Sequence, residues 1–235
     1  MYGYEWTDEY GIFRLTIDAK IQKEIRPVFH EELDFFGMHK YWDYPKDTDA
    51  PLLWAEGIRR YVMNGVCVAE AEGGGFFTVP KIKLNTTKRL KLKAINITRL
   101  IEVNHAILVN MKQKSISLIQ EQHEKYAKQG YSFICAFSGG KDSLVLLDLV
   151  SKALAPSEFW VVFSNTGMEL SDTLKSVERA KLHWPHLRFV EAKCHMEPTE
   201  SWDEFGPPGR RMRWCCAVHK SVPTILKLRE ITGNY

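Results

Sequence analysis

An apolar run, YSFICAF at residues 131–137, stops at Ser138-Gly139-Gly140-Lys141-Asp142-Ser143, and LVLLDLV follows at 144–150. A short aromatic and apolar run reads as a buried strand. The leucine-rich stretch after the break fits a core helix. A strand that turns through two glycines into a helix leaves backbone N–H groups pointing out of the turn. The helix N-terminus adds roughly half a positive charge there. Ser138 and Ser143 flank the glycines with hydroxyls suited to phosphate oxygens. Gly139 and Gly140 are both expected to adopt positive φ and to let a ligand approach the backbone. Lys141 adds a cation and Asp142 a carboxylate. The spacing is neither the Walker pattern nor the dinucleotide fingerprint G-x-G-x-x-G.

The chain around this hexamer divides near residue 95. Residues 1–94 read as a small β-rich or α+β module. GIFRLTI at 11–17 is a strand candidate. Residues 60–69 form a hairpin with Asn64-Gly65 as its two-residue turn. Gly73-Gly74-Gly75 breaks the chain before Phe76-Phe77-Thr78-Val79, and a strand pair is expected at 81–84 and 89–93. Residues 96–128 turn helical, with Leu100, Ile101, Asn104, Ile107, Leu108, Met111, Ile116 and Ile119 at three- and four-residue spacings. Gly130 is placed to end that helix. Strands at 131–137, 159–164 and 187–192 then alternate with helices at 141–154 and 170–182. Such alternation predicts a parallel sheet covered by helices. Ligands bind such sheets at the carboxyl ends of their strands, where the hexamer lies.

Two further clusters fall in the same region. The second strand runs into SNTGMELSDT at 164–173, placing Asn165, Thr166 and Gly167 at the carboxyl edge beside the phosphate loop. The same stretch also serves as a helix entry, with Ser171 or Asp172 as cap. The third cluster, FGPPGRRMRWCCAVHK at 205–220, begins with a Gly-Pro-Pro-Gly stretch that neither a helix nor a central strand accommodates. It presents Arg210, Arg211, Arg213 and Lys220 close to Cys215 and Cys216. Guanidinium forks suit sulfate and phosphate. Nearby cations favour thiolate, the nucleophilic and metal-binding form. Cys194, His195, Cys215, Cys216 and His219 are candidate ligands for zinc or an iron–sulfur site, although their spacing is not that of a zinc finger.

Composition bounds the remaining classes. The 235 residues are 45% hydrophobic and 26% charged, with net charge +3. No run of eighteen apolar residues exists, so no transmembrane helix or membrane association is expected. The acidic, aromatic start lacks the features of a signal peptide, and a cytoplasmic location follows by default. Five cysteines, two of them adjacent, do not suit a disulfide framework, so reduced thiols are expected. The net charge is too small to imply nucleic acid by itself. The ribbon Lys81, Lys83, Lys88, Arg89, Lys91 and Lys93, alternating with Ile82, Leu84, Leu90 and Leu92, has the pattern of a cationic strand face. It reads as a solvated face or as a surface for a tRNA or DNA backbone.

The hexamer resembles the PP-loop of ATP pyrophosphatases. Together with SNTGMELSDT, PPGRRMRWCC and Lys220, it resembles the phosphoadenosine phosphosulfate (PAPS) reductase family over residues 96–235. The resemblance implies an α/β parallel-sheet PP-loop domain, of the adenine nucleotide alpha hydrolase type, at 95–235. It implies ATP with Mg²⁺, the metal held through the nucleotide near Asp142, and phosphates held at Ser138, Gly139, Gly140 and Ser143. Thr166 and Gly167 would border the nucleotide, and Arg210, Arg211 and Arg213 would meet an anionic group. Lys141 would stabilise charge on departing pyrophosphate, and Cys215 or Cys216 would be the sulfur carrier. The family's reductases carry a catalytic cysteine in a C-terminal Glu-Cys-Gly-Leu/Ile-His segment, and its iron–sulfur members a downstream Cys-x-x-Cys. Neither occurs within residues 1–235, so the family's C-terminal part is expected to be missing here or the cluster chemistry lost. The intact hexamer favours ATP. The expected activity is adenylylation of an acceptor, or sulfur transfer. The alternatives are thiol-dependent reduction of adenylyl sulfate or PAPS, and a nucleotide-binding module of a larger DNA-phosphorothioation or tRNA-thiolation assembly.

Overall fold

The structure is a computed structural model that describes residues 3–17, 24–57, 59–74, 78 and 80–233. Of the expected break and strand at 73–79, Gly75, Phe76, Phe77 and Val79 lie outside the described residues. The chain forms two compact units, Met1–Asn110 and Met111–Tyr235.

In the first unit, β1 (Gly3–Trp6) and β2 (Phe13–Thr16) form an antiparallel pair. A five-stranded antiparallel sheet follows in the order β3 (Ile25–Val28), β4 (Leu53–Glu56), β5 (Arg60–Met63), β6 (Val66–Glu72) and β7 (Lys81–Leu84). Helix α1 (His30–Phe35) lies between β3 and β4 in sequence. The β5–β6 turn is Asn64-Gly65, at φ 46° and 83°. Both lie in the left-handed region that a two-residue hairpin turn needs. Leu53, Ala55, Tyr61, Val68 and Ala69 project into a core with Val28, Leu33 and Trp42.

The expected strand at 89–93 does not form. Its backbone is taken by Asp43: Asp43 N–H donates to Leu90 O, Leu92 N–H donates to Asp43 O, both at 2.8 Å, and Arg89 holds the Asp43 carboxylate at 2.7 Å. The expected alternation of faces survives, with Leu92 buried and Lys91 and Lys93 exposed. The ribbon is partly neutralised within the unit, because Arg89 pairs with Asp43 and Lys83 with Glu72.

The single helix expected at 96–128 is two helices, α2 (Ile97–Val103) and α3 (His105–Ala127). Asn104 is the reason. It is 3% exposed, its amide donates to Phe13 O and Leu100 O at 2.9 Å, and its Oδ1 accepts from Leu15 N–H at 2.6 Å. A buried amide so completely partnered ties α2 to β2. The two compact units meet at Asn110/Met111, within α3.

The second unit is built on a parallel sheet of β8 (Phe133–Ala136), β9 (Phe159–Asn165) and β10 (Phe189–Lys193), in the order β10-β9-β8. Helices α4 (Lys141–Ala153) and α5 (Ser171–His183) are the crossovers. They are followed by α6 (Pro198–Phe205), the single turn α7 (Trp214–Cys216), a π-turn at Ala217–Ser221 and α8 (Val222–Thr232). Phe159, Val161 and Phe163 of β9 pack with Leu147 and Val150 of α4 and Val177 and Ala180 of α5. Burying each large side chain contributes about 1.5–3 kcal/mol. Helix α4 is amphipathic rather than wholly core: Leu144, Val145 and Leu146 are exposed. Neither Ser171 nor Asp172 caps α5. Leu170 holds the cap position, without a side-chain bond.

Candidate functional site

The chain leaves β8 through the buried Phe137 and enters α4 across Ser138, Gly139 and Gly140. The first rung of α4 is Leu144 N–H to Gly140 O at 3.0 Å. The amides of Lys141, Asp142 and Ser143 therefore lie ahead of the helical ladder. Gly140, at the cap position, places no side-chain oxygen over them. The cap residue thus leaves the positive end of the helix dipole open to a ligand, which suits a phosphate.

The two glycines differ. Gly139 has φ +76°, and a Cβ there would lie 3.2 Å from Thr173 O and 3.4 Å from Val177 Cγ2. Ser176 Oγ donates to its carbonyl at 2.7 Å. Gly140 has φ −84° and ψ 166°, ordinary extended backbone, so the expectation of positive φ is corrected at this position. The serine hydroxyls brace the loop. Ser143 Oγ donates to Gly140 O at 2.9 Å and accepts from Ser138 N–H and Ser138 Oγ, both at 3.2 Å. Lys141 and Asp142 pair at 2.8 Å and are highly exposed.

A cleft of about 160 Å³ opens beside the loop. Its floor is the apolar ends of β8 and β9, and its polar lining is Ser138, Ser164, Thr166, Glu169 and Lys220. The end of β9 is shaped by Asn165 and Gly167. Asn165 Nδ2 donates to Glu191 at 2.9 Å, and Asn165 Oδ1 accepts from Gly167 N–H at 2.9 Å, an Asx-type turn. Gly167 has φ +77°, and a Cβ there would lie 2.9 Å from the Pro198 ring. Asn165 and Gly167 build the turn, and Thr166 lines the cleft.

Lys220 reaches the cleft because of the π-turn. Pro223 has no N–H, so it cannot bond the His219 carbonyl four residues back, and its ring crowds that carbonyl. Widening the turn relieves both problems. Two hydroxyls then hold the segment. Thr224 Oγ1 donates to Lys220 O at 2.6 Å. A hydroxyl has one proton, so in the 2.8 Å contact between Ser164 Oγ and Thr224 Oγ1 it is Ser164 that donates. On the other side, His219 is 1% exposed and its Nε2 lies 2.8 Å from Ser201 Oγ on α6.

The basic loop is a separate feature. Gly209 and Met212 exchange backbone hydrogen bonds at 3.2 and 3.0 Å, putting Arg210 and Arg211 at the tip of a tight turn. Arg210, Arg211 and Arg213 are exposed and, among the described residues, make no ion pair. Neither they nor Cys215 and Cys216 line the cleft. All five cysteines are free. Cys135 is buried, which pushes its thiol up to about 11. Among the described residues no three His, Cys, Asp or Glu side chains converge. The expected group of Cys194, His195, Cys215, Cys216 and His219 is therefore not assembled, and His219 is engaged with Ser201. Asp142 is the single carboxylate of the phosphate loop.

The structure thus brings Ser138, at the head of the loop, and Thr166 together in the cleft lining and leaves the arginines and thiols outside it. Sequence reasoning placed Lys220 in the basic cluster and Ser164 and Glu169 in the SNTGMELSDT segment, but gave none of the three a role at the site. For Lys220 the available signal was Pro223 three residues on, which forbids a regular helix through that segment.

Residues 132–235 match the sequence model of the phosphoadenosine phosphosulfate reductase domain. An uncharacterised protein of Methanocaldococcus jannaschii is 36% identical over 124 residues, 53% of this chain and 25% of that protein. An adenosine 5′-phosphosulfate reductase of Halalkalibacterium halodurans is 30% identical over 131 residues, 55% of this chain and 53% of the enzyme. Another from Bacillus subtilis is 31% identical over 112 residues, 47% of this chain and 46% of the enzyme. The chain spans between a quarter and about half of the length of these relatives. From residue 132 onward, this chain is thus similar in sequence to the phosphoadenosine phosphosulfate reductase family.

Proposed function

We propose that the second unit binds an adenine nucleotide through its phosphates and acts on the 5′-phosphate linkage, with ATP as the nucleotide and adenylylation or sulfur transfer as the reaction. The carrying observation is the uncapped N-terminus of α4 opening beside a cleft that contains Lys220 and, among the described residues, no thiol. The amides of Lys141, Asp142 and Ser143 and the Lys220 ammonium would receive the charge that grows on a departing phosphate group, without rearranging. Mg²⁺ bound with the nucleotide would supply further charge neutralisation, and Asp142 is the loop carboxylate placed to help hold it. Arg210 and Arg211, at the tip of their turn, would reach an anionic substrate only if that turn folds over the cleft.

A second reading is thiol-dependent reduction of adenylyl sulfate, favoured by the names of the relatives. In it the same loop and Lys220 would hold the phosphosulfate. Cys216 is the exposed thiol of this chain. The two readings separate on product. The full chain is incubated with Mg·ATP and candidate acceptors, or with adenylyl sulfate and a thiol, and pyrophosphate and sulfite are measured. Lys220→Ala is the control. Pyrophosphate release that Lys220→Ala abolishes supports the first reading, and sulfite release supports the second. Absence of both products, with no nucleotide binding by calorimetry, removes the proposal.

A further inference from the structure

The cleft contains two charged side chains, Lys220 and Glu169, and among the described residues they do not pair with each other. Lys220 suits an anionic ligand. Glu169 does not, and nothing in the phosphate reading uses it. Its position is fixed. Thr166 Oγ1 donates to Glu169 Oε1 at 2.8 Å and Thr166 N–H does so at 3.4 Å, while Met168 N–H donates to Thr166 Oγ1 at 3.2 Å. Those bonds occupy Oε1. Among the described residues Oε2 has no hydrogen-bond partner and no cation lies within ion-pair distance of the carboxylate. A carboxylate accepts hydrogen bonds and donates none. A half-buried one beside a ligand therefore demands a donor and repels a second anion, because its charge is less screened than at an open surface.

The neighbourhood says which part of the ligand meets it. Glu169 and Thr166 share the cleft with Ser138, the first residue of the phosphate loop. In a nucleotide the group next to the 5′-phosphate is the ribose, whose 2′- and 3′-hydroxyls are donors. We propose that Glu169 determines specificity in this cleft, accepting hydrogen bonds from free ribose hydroxyls and excluding nucleotides that carry a 3′-phosphate. The inference rests on the nucleotide reading above. It places the substrate among 5′-nucleotides with an unmodified ribose diol.

The test is calorimetric titration of the full chain with adenosine 5′-monophosphate, its 3′-deoxy analogue and adenosine 3′,5′-bisphosphate. Wild type is expected to bind the monophosphate at least tenfold more tightly than the bisphosphate, and the 3′-deoxy analogue severalfold more weakly than the monophosphate. Glu169→Gln keeps an acceptor for Thr166 but loses the charge, and should shrink the monophosphate preference at least fivefold. Glu169→Asp keeps the charge and should retain most of it. Equal or tighter binding of the bisphosphate by wild type, or a preference unchanged in Glu169→Gln, overturns the assignment. Failure of wild type to bind any of the three refutes nucleotide binding itself, and takes this inference with it.

Discussion

Adjacent glycines in the phosphate loop should respond very differently to the same substitution. Gly139→Ala forces an L-residue to φ +76°, which costs roughly 1–2 kcal/mol. Its new methyl would also stand 3.2 Å from the Thr173 carbonyl and 3.3 Å from Thr173 Cγ2, in the first turn of α5. A backbone carbonyl on a packed helix yields poorly, so strain adds up to about 1 kcal/mol. The expected destabilisation is about 1–3 kcal/mol. Gly140→Ala meets nothing closer than Ser138 Oγ at 3.6 Å, and φ −84° is open to any residue. Reduced entropy of the unfolded chain favours alanine there by about 0.4–1 kcal/mol. Loss of a good N-cap residue offsets that by a similar amount. The net change should be within about 0.5 kcal/mol. Thermal unfolding followed by circular dichroism reads both, and the melting-temperature gap should be on the order of 3–10 °C. Nucleotide affinity should fall in Gly139→Ala, because the loop must move. Midpoints for the two variants that agree within error would refute the argument from φ and packing.

Further expectations concern the cleft and the thiols. Lys220→Ala should weaken nucleotide binding about tenfold and flatten its salt dependence, as titrations at two ionic strengths would show, while the fold is retained because this side chain is exposed. Pro223→Ala restores a donor to the His219 carbonyl and allows an ordinary helix. A one-residue change of register rotates Lys220 by about 100°, so affinity should drop at least fivefold with a melting shift below about 3 °C. Unchanged affinity would show that the π-turn does not position Lys220. Cys135 titrates near 9.0 when unfolded but is raised to about 11 by burial. Its contribution is therefore complete below pH 9 and lost as pH rises toward 11, by up to about 2 kcal/mol. Cys135→Ala should show a shallower alkaline loss in denaturant titrations between pH 8.5 and 11. Under native conditions iodoacetamide should label the exposed Cys216 first and Cys135 only after unfolding, which mass spectrometry would resolve.

The sequence by itself determined the parallel sheet and the place of the phosphate loop. Both follow from local chemistry. An apolar run, two glycines and a leucine-rich helix can be read without knowing their neighbours, and β8, β9 and β10 with α4 and α5 stand where the alternation put them, within one or two residues. The Asn64-Gly65 hairpin was legible for the same reason. What tertiary structure decided is everything that depends on a partner distant in the chain. Asp43 took the backbone of residues 90–92 that alternation assigned to a strand. Asn104 broke one predicted helix into two because Phe13 and Leu15 supplied its partners, 91 and 89 residues away. Helix α5, through Thr173 and Val177, distinguishes Gly139 from Gly140. The composition of the cleft was hidden too. Lys220 enters it through a π-turn held by the Thr224–Ser164 hydroxyl pair, and the neighbouring arginines and thiols, equally suggestive in sequence, stay outside its lining. Residue types declare which chemistry a segment can perform. Only packing fixes which of those side chains face the same few ångströms of space.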